Sequence, residues 1–170
     1  ADFLGTWISP VEFTKQWVEN RKLDKKKEMS RHIQFESGLS VTGSNADVRI
    51  PVKPSQEGLA VVALYNEVAK ILGVPTISAP AFNVAANLLT NTAQELVAAK
   101  GASLVVSGSN DIDVQIVVNA MNTMLGNVGT TLDLDNYSLQ RTATDGAFEK
   151  LVADMNAGSV AAVVFLDVNP

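Results

Sequence analysis

The stretch "ADVRIPVKPSQEG", residues 46–58, joins two periodicities at one corner. Val48, Ile50 and Val52 alternate with Arg49, Pro51 and Lys53, the period-two pattern of a strand with one apolar face. Pro51 removes a ladder donor and so places this strand at a sheet edge or ends it. From Ser55 onward Leu59, Val62, Ala63, Val68, Ala69 and Leu72 recur at spacings near 3.6, and Gly73 supplies a C-cap, which predicts a helix of about 17 residues. A strand that turns directly into a helix is the building unit of an α/β fold. The helix start at such a turn presents backbone N–H groups that favour an anion, yet the sequence sets a carboxylate there, Glu57.

Upstream of this corner, "HIQFES" (32–37) alternates and then meets Gly, Ser, Thr and Asn, which predicts another strand feeding a polar loop. Before it, Ser9, Pro10 and Glu12 read as N-cap, first helical residue and capping-box partner of a helix over about 10–22. The charged run "RKLDKKKEMSR" (21–31) reads as a solvated loop, giving an N-terminal segment, 1–30, ahead of a domain over 31–170.

Downstream, "VPTISAP" is a loop, and residues 81–101 carry enough Ala, Leu, Gln and Glu for one long or two short helices. "ASLVVSG" is an uninterrupted apolar run, expected as a central strand buried on both faces. Helices over "DIDVQIVVNAMNTMLG" and "DGAFEKLVADMNAG" follow, and "SVAAVVFLDV" is expected as a last buried strand. The order β-β-α-α-β-α-α-β favours a Rossmann-like α/β domain, its mostly parallel sheet doubly wound with helices on both faces.

Composition narrows function by exclusion. A chain of 170 residues suits one domain and can bury roughly 70% of its unfolded surface. Its 46% hydrophobic and 18% charged residues argue against disorder, and no apolar run nears the roughly 20 residues of a membrane span. The net charge of −5 offers no basic footprint for nucleic acid. Cysteine is absent, so this stretch supplies no disulfide, thiolate zinc site or iron–sulfur ligand. The chain opens inside an apolar "ADFLGTW" and closes on "VVFLDVNP", which reads as a soluble fragment, itself without a signal peptide, excised from a larger chain.

Ligands of open α/β sheets bind beyond the carboxyl ends of the strands, where 36–47, 53–58, 107–111 and 167–170 are expected to meet. Glu36 ends a strand, where an acid can accept from a ribose, while Ser40, Thr42, Ser44 and Asn45 are either ligand contacts or ordinary turn residues. Glu57 can hold the paired N–H donors of a guanine, or it is simply a first-turn acid favoured by the helix dipole. His32, the single histidine, has no metal-ligand companions in sequence. Asp111, Asp113, Asp133 and Asp135 read as caps and solubilising charges, Met121 and Met124 as core filler. "GNVG" lacks the Gly-Lys-Ser/Thr of a P-loop, and no Ser/His/Asp arrangement is legible.

These corners resemble the molybdopterin oxidoreductase family, the dimethyl sulfoxide reductase-like group. There a strand ends in Asp-Pro-Arg and continues through Thr-x-Thr-Ala-x-x-Ala-Asp to a short strand and Arg-Pro-Gly-Thr-Asp. Ser40, Thr42, Gly43, Ala46 and Asp47 follow the first pattern, and Lys53-Pro54-Ser55-Gln56-Glu57 the second. Leu125-Gly126-Asn127-x-Gly129 looks like the group's Leu-x-Gly-Asn-x-Gly, and Asn169-Pro170 like its Gly-x-Asn-Pro turn. Within the group, "ADFLGTWISPVEF", "GSNADVRIPV" and "NAMNTMLGNVGTT" resemble the molybdopterin-like region of the iron–sulfur subunit of bacterial alternative complex III, a membrane quinol oxidoreductase.

The resemblance implies a noncatalytic, cofactor-free structural domain of an oxidoreductase subunit. Its partners would be the rest of that subunit and the other subunits of a membrane respiratory complex, periplasmic or peripheral to the bacterial inner membrane. The alternative it implies is a working molybdopterin guanine dinucleotide domain of a molybdenum or tungsten reductase, with iron–sulfur clusters elsewhere in the parent. The implied cofactor-binding residues, vestigial or weak, are Glu36, Ser40, Thr42, Asp47, Glu57, Gly108 and Asn169. Glu36-Ser37-Gly38 stands where the family has Asp-Pro-Arg, Ser55-Gln56-Glu57 where it has Gly-Thr-Asp, and Asp167-Val168 where a small glycine precedes Asn-Pro. Together these changes predict a narrowed, acidic crevice with no compensating Lys or Arg.

Overall fold

The computed structural model describes residues 1–24, 28–84, 86–137 and 145–167. The chain divides into two compact units, Ala1–Asn136 and Tyr137–Pro170.

In the first unit, helix α1 (Pro10–Glu19) is followed by strand β1 (Ile33–Glu36), a one-turn helix α2 (Val41–Ser44), strand β2 (Val48–Pro51), and α3 (Glu57–Leu72), α4 (Ala86–Ala98) and α5 (Ile112–Met124). A short 3₁₀ turn, Pro54–Gln56, leads into α3. The architecture is mixed α/β. Among the described residues the one sheet is two-stranded and parallel, with Ile33 opposite Val48 and Glu36 opposite Pro51.

The strand-to-helix corner forms as its sequence dictates. Pro51 closes β2, and Gly73 ends α3 in the left-handed conformation at φ 69°, where its amide reaches back to Ala69 and Lys70. The α3 stripe packs against α4 and α5 through Leu64, Val68, Leu89, Ala93, Val118, Met121 and Leu125. Ile50, Val52 and Ala60 form a second cluster beneath the sheet, and Phe35 packs against both. Met121 thus lies in the core, as its helical spacing predicts.

Several expectations need correction. Ser9 makes no side-chain cap, and α1 buries no residue, because its thin apolar stripe leaves Val11 84% exposed. Ordinarily the polar members of an edge strand face solvent, but here Gln34 and Glu36 are buried and the N-terminal segment covers them. Hydrogen bonds also cross the expected boundary at residue 30: Leu4 donates to Thr42 Oγ1, and Arg21 to Asp47.

The expected central strand is extended but carries no ladder: over 103–109 half-buried and exposed residues alternate, leaving Leu104 and Val106 46% and 48% exposed. One edge of it is served by a side chain, since Asn122 accepts from the Val105 amide at 3.0 Å and donates to its carbonyl at 2.8 Å.

The second unit contains α6 (Asp145–Asn156), Gly158 at φ 69° and, beyond it, residues 159–167, which form neither helix nor strand, with Asp167 at φ 52°. The expected last strand has no ladder partner among the described residues, and Val164 and Leu166 are 88% and 84% exposed. Apolar character makes a strand buried only when a neighbour covers it.

Candidate functional site

The corner between β1 and β2 gathers most of the residues singled out from sequence. Glu36 ends β1 with its carboxylate buried. It accepts from Ser40 Oγ and from Arg49 Nε, both at 2.5 Å, and from the Ser40 amide at 3.3 Å. Burial pushes its pKa up, but the Ser40 and Arg49 bonds outweigh burial, so the carboxyl titrates below its ordinary value. A Cβ on Gly43 would overlap this carboxylate, so the glycine of "VTGS" is what lets Glu36 occupy the turn.

Ser40 caps α2 by accepting from the Gly43 amide at 2.9 Å while its hydroxyl hydrogen goes to Glu36. Thr42 is fully buried; its Oγ1 donates to Asp2 Oδ1 at 2.8 Å and accepts from the Leu4 amide at 2.9 Å. Burial raises the Asp2 pKa, but the hydrogen bonds, Thr42's first among them, lower it by more, for a net depression. Asp47 faces away from Glu36: it takes both arms of Arg21, at 2.7 and 2.9 Å, and the His32 amide at 2.7 Å. The Arg21 bond, more than burial opposes it, lowers the Asp47 pKa to about 2.

A cavity of about 910 Å³ borders this corner. Glu36, Ser40, Glu57 and Gly108 all lie on its wall, whereas Thr42 and Asp47 do not. Asn169 lies outside the described residues. Glu57 is exposed at the first turn of α3, the position the helix dipole favours for an acid. The only Arg or Lys among the described lining residues is Arg31, which bonds Glu95 at 3.1 Å; the carboxylates of Asp2, Glu36 and Glu57 also lie on the wall. Burial lowers the His32 pKa first of all, with Gln34 opposing, so this imidazole is neutral near pH 7. The one lysine or arginine side chain on the described wall that could meet a pyrophosphate, Arg31, is engaged by Glu95.

One part of the electrostatic expectation is overturned. Glu36 is not uncompensated, because Arg49, its neighbour across the strand pair, neutralises it. Strand pairing brings together groups that sequence spacing keeps apart.

Spacing also gave no sign of the Asn122–Asn127 pair. Asn127 is fully buried and donates to Asn122 Oδ1 at 3.0 Å, while its carbonyl accepts from the Thr130, Thr131 and Leu132 amides. "GNVG" is thus a turn held by an asparagine, with Gly126 and Gly129 at φ 66° and 79°. The available signal was a polar residue inside the apolar stripe Val118, Met121, Leu125. Asp111 caps α5 by accepting from the Val114 amide at 3.1 Å, and Asp133 closes a turn onto Asp135 and Asn136. Among the described residues no His, Asp and Glu cluster could hold a metal ion, and no helix is long and apolar enough to cross a membrane.

No family model matches this chain, and a search of curated proteins returns no match.

Proposed function

We propose that this chain is a cofactor-free, Rossmann-like scaffold domain of an oxidoreductase subunit of the molybdopterin oxidoreductase type, as in the iron–sulfur subunit of bacterial alternative complex III. The observation that carries the reading is the Glu36 corner. The position corresponding to the family's Asp-Pro-Arg offers a carboxylate whose lone pairs are taken by Ser40 and Arg49, and the neighbouring threonine is taken by Asp2. Side chains engaged in this way brace a fold and leave little for a nucleotide to bind. Glu57, exposed on the same wall, adds a like-charge cost for a diphosphate. On this reading electrons pass through iron–sulfur clusters in another region of the parent. The domain holds that region and the other subunits of a quinol-oxidising complex, peripheral to the inner membrane or periplasmic, and the parallel sheet is completed within the larger assembly.

The second reading, a working molybdopterin guanine dinucleotide domain, is favoured by one observation: Glu36, Ser40, Glu57 and Gly108 share one large cavity at the carboxyl end of β1. Elemental analysis of the purified full-length parent for molybdenum and tungsten, with assay of the guanine nucleotide released on acid treatment, separates the two. The scaffold reading expects neither above background. Stoichiometric metal with GMP overturns it.

A further inference from the structure

We propose that His32 is a proton-operated latch: its neutral ring, held between Phe3 and Trp17, fastens residues 1–8 and helix α1 to the start of β1, and a proton on its bare ring nitrogen releases them from the wall of the cavity beside β1. The clasp is aromatic on two sides. The His32 ring lies 5.7 Å from that of Phe3 and 6.0 Å from that of Trp17, and Phe3 in turn meets Trp7 at 6.4 Å. All four side chains line the cavity. Helix α1 buries no residue, so it depends on this clasp more than on a core of its own.

A chain of hydrogen bonds decides where the hydrogen of the neutral ring sits. The ionised Glu36 carboxylate only accepts, so Gln34 Nε2, 3.4 Å from Glu36 Oε2 and 3.1 Å from the Ala1 carbonyl, is the donating end of that amide. Gln34 Oε1 is thereby turned to His32 Nε2 at 3.3 Å and accepts from it. The neutral ring therefore carries its hydrogen on Nε2. Nδ1 is left as a buried lone pair with no hydrogen-bond partner among the described residues.

A proton on Nδ1 makes a buried donor that has no acceptor and sets a positive charge among the rings. Trp17 already serves the Arg21 guanidinium, 4.4 Å from its ring centroid, so the new charge stands beside a cation. Of the charged groups around the ring, Arg21 and the α-amino group of Ala1 disfavour the proton, and Asp47, whose two oxygens already bind Arg21, favours it. Arg31, the adjacent residue, is bonded to Glu95. Burial is the largest influence, and the ring titrates below its ordinary 6.5.

The other ties of this segment keep their charge in that range. Asp2, bound to Thr42, and Asp47, bound to Arg21, both titrate below the ordinary 3.8, and the Leu4 amide donates to the neutral Thr42 hydroxyl. Because the folded value of His32 is depressed, its stabilisation is whole above about 6.5 and is lost as pH falls through the folded value.

His32 is the single histidine of the chain, so its ring resonances in an NMR titration are unambiguous. Their midpoint should lie below 6.5. Corrected for intrinsic exchange, the Leu4 amide should lose protection about fivefold from pH 7 to pH 5, while the core amides of Val68 and Met121 keep theirs. In His32→Phe, which retains the stack without the proton, Leu4 should be equally protected at both pH values. A midpoint at or above 6.5 overturns the proposal. So does unchanged Leu4 protection in the native chain, a loss shared equally by Val68 and Met121, or a pH-dependent loss that survives in His32→Phe. The readings on the native chain decide the matter even where the variant fails to fold.

Discussion

The corner from Glu36 to Arg49 and the segment from Ser103 to Ser109 lie in the same unit and border the same cavity, yet their polar groups are used in opposite ways. At the corner the carboxylates of Glu36 and Asp2 are satisfied by Ser40 and Arg49 and by Thr42 over distances of 2.5–3.3 Å. In the segment only one edge is satisfied, by Asn122, while Leu104 and Val106 leave the other edge bare. The difference teaches that polar side chains at a strand end can be spent wholly on one another. It also teaches that apolar sequence alone does not complete a sheet.

The largest effect is expected where one side chain stands in for a strand. Replacing Asn122 with alanine strips Val105 and Asn127 of partners in a buried site, and should lower unfolding free energy by about 3 kcal/mol in urea titration. A loss below about 1 kcal/mol would show that water serves this edge equally well.

At the saturated corner, Thr42→Val keeps the volume but orphans the Leu4 amide and one Asp2 bond. It should cost about 2 kcal/mol by the same measurement. A neutral result would detach the N-terminal segment from the corner.

Asp47 tests the corner by pH. Its folded pKa of about 2 lies below the ordinary 3.8, so its stabilisation is present above pH 3.8 and is lost as pH falls through about 2. After discount for solvent screening of a side chain 21% exposed, Asp47→Asn should cost about 1 kcal/mol at pH 7, with the gap closing in acid. A gap that persists at pH 2 would locate the effect outside ionisation.

The smallest effect belongs to the bare edge. Val106→Thr should change the stability of this chain by less than about 0.5 kcal/mol, since its side chain is already half exposed. A larger loss would mean that the Val106 side chain is covered in solution.

What the sequence made legible was local. The α3 corner, the Gly73 cap and the Asp111 cap follow from spacing and turn chemistry within a few residues. The pairs Glu36–Arg49 and Thr42–Asp2 join residues 13 and 40 positions apart, and no periodicity encodes them. The apolar run at 103–109 was expected as a strand, yet it forms none among the described residues, because a ladder depends on a neighbour that local sequence does not specify. Glu36, Ser40, Glu57 and Gly108 line one cavity, while the cation that neutralises Glu36 comes from the facing strand.

The claim that the corner is spent on itself is tested most directly by a double-mutant cycle between Glu36→Gln and Arg49→Met, read as unfolding free energies at pH 7. The account predicts a coupling of about 1.5 kcal/mol between the two side chains. A coupling of zero within about 0.3 kcal/mol would contradict it, leaving Glu36 free to meet a ligand.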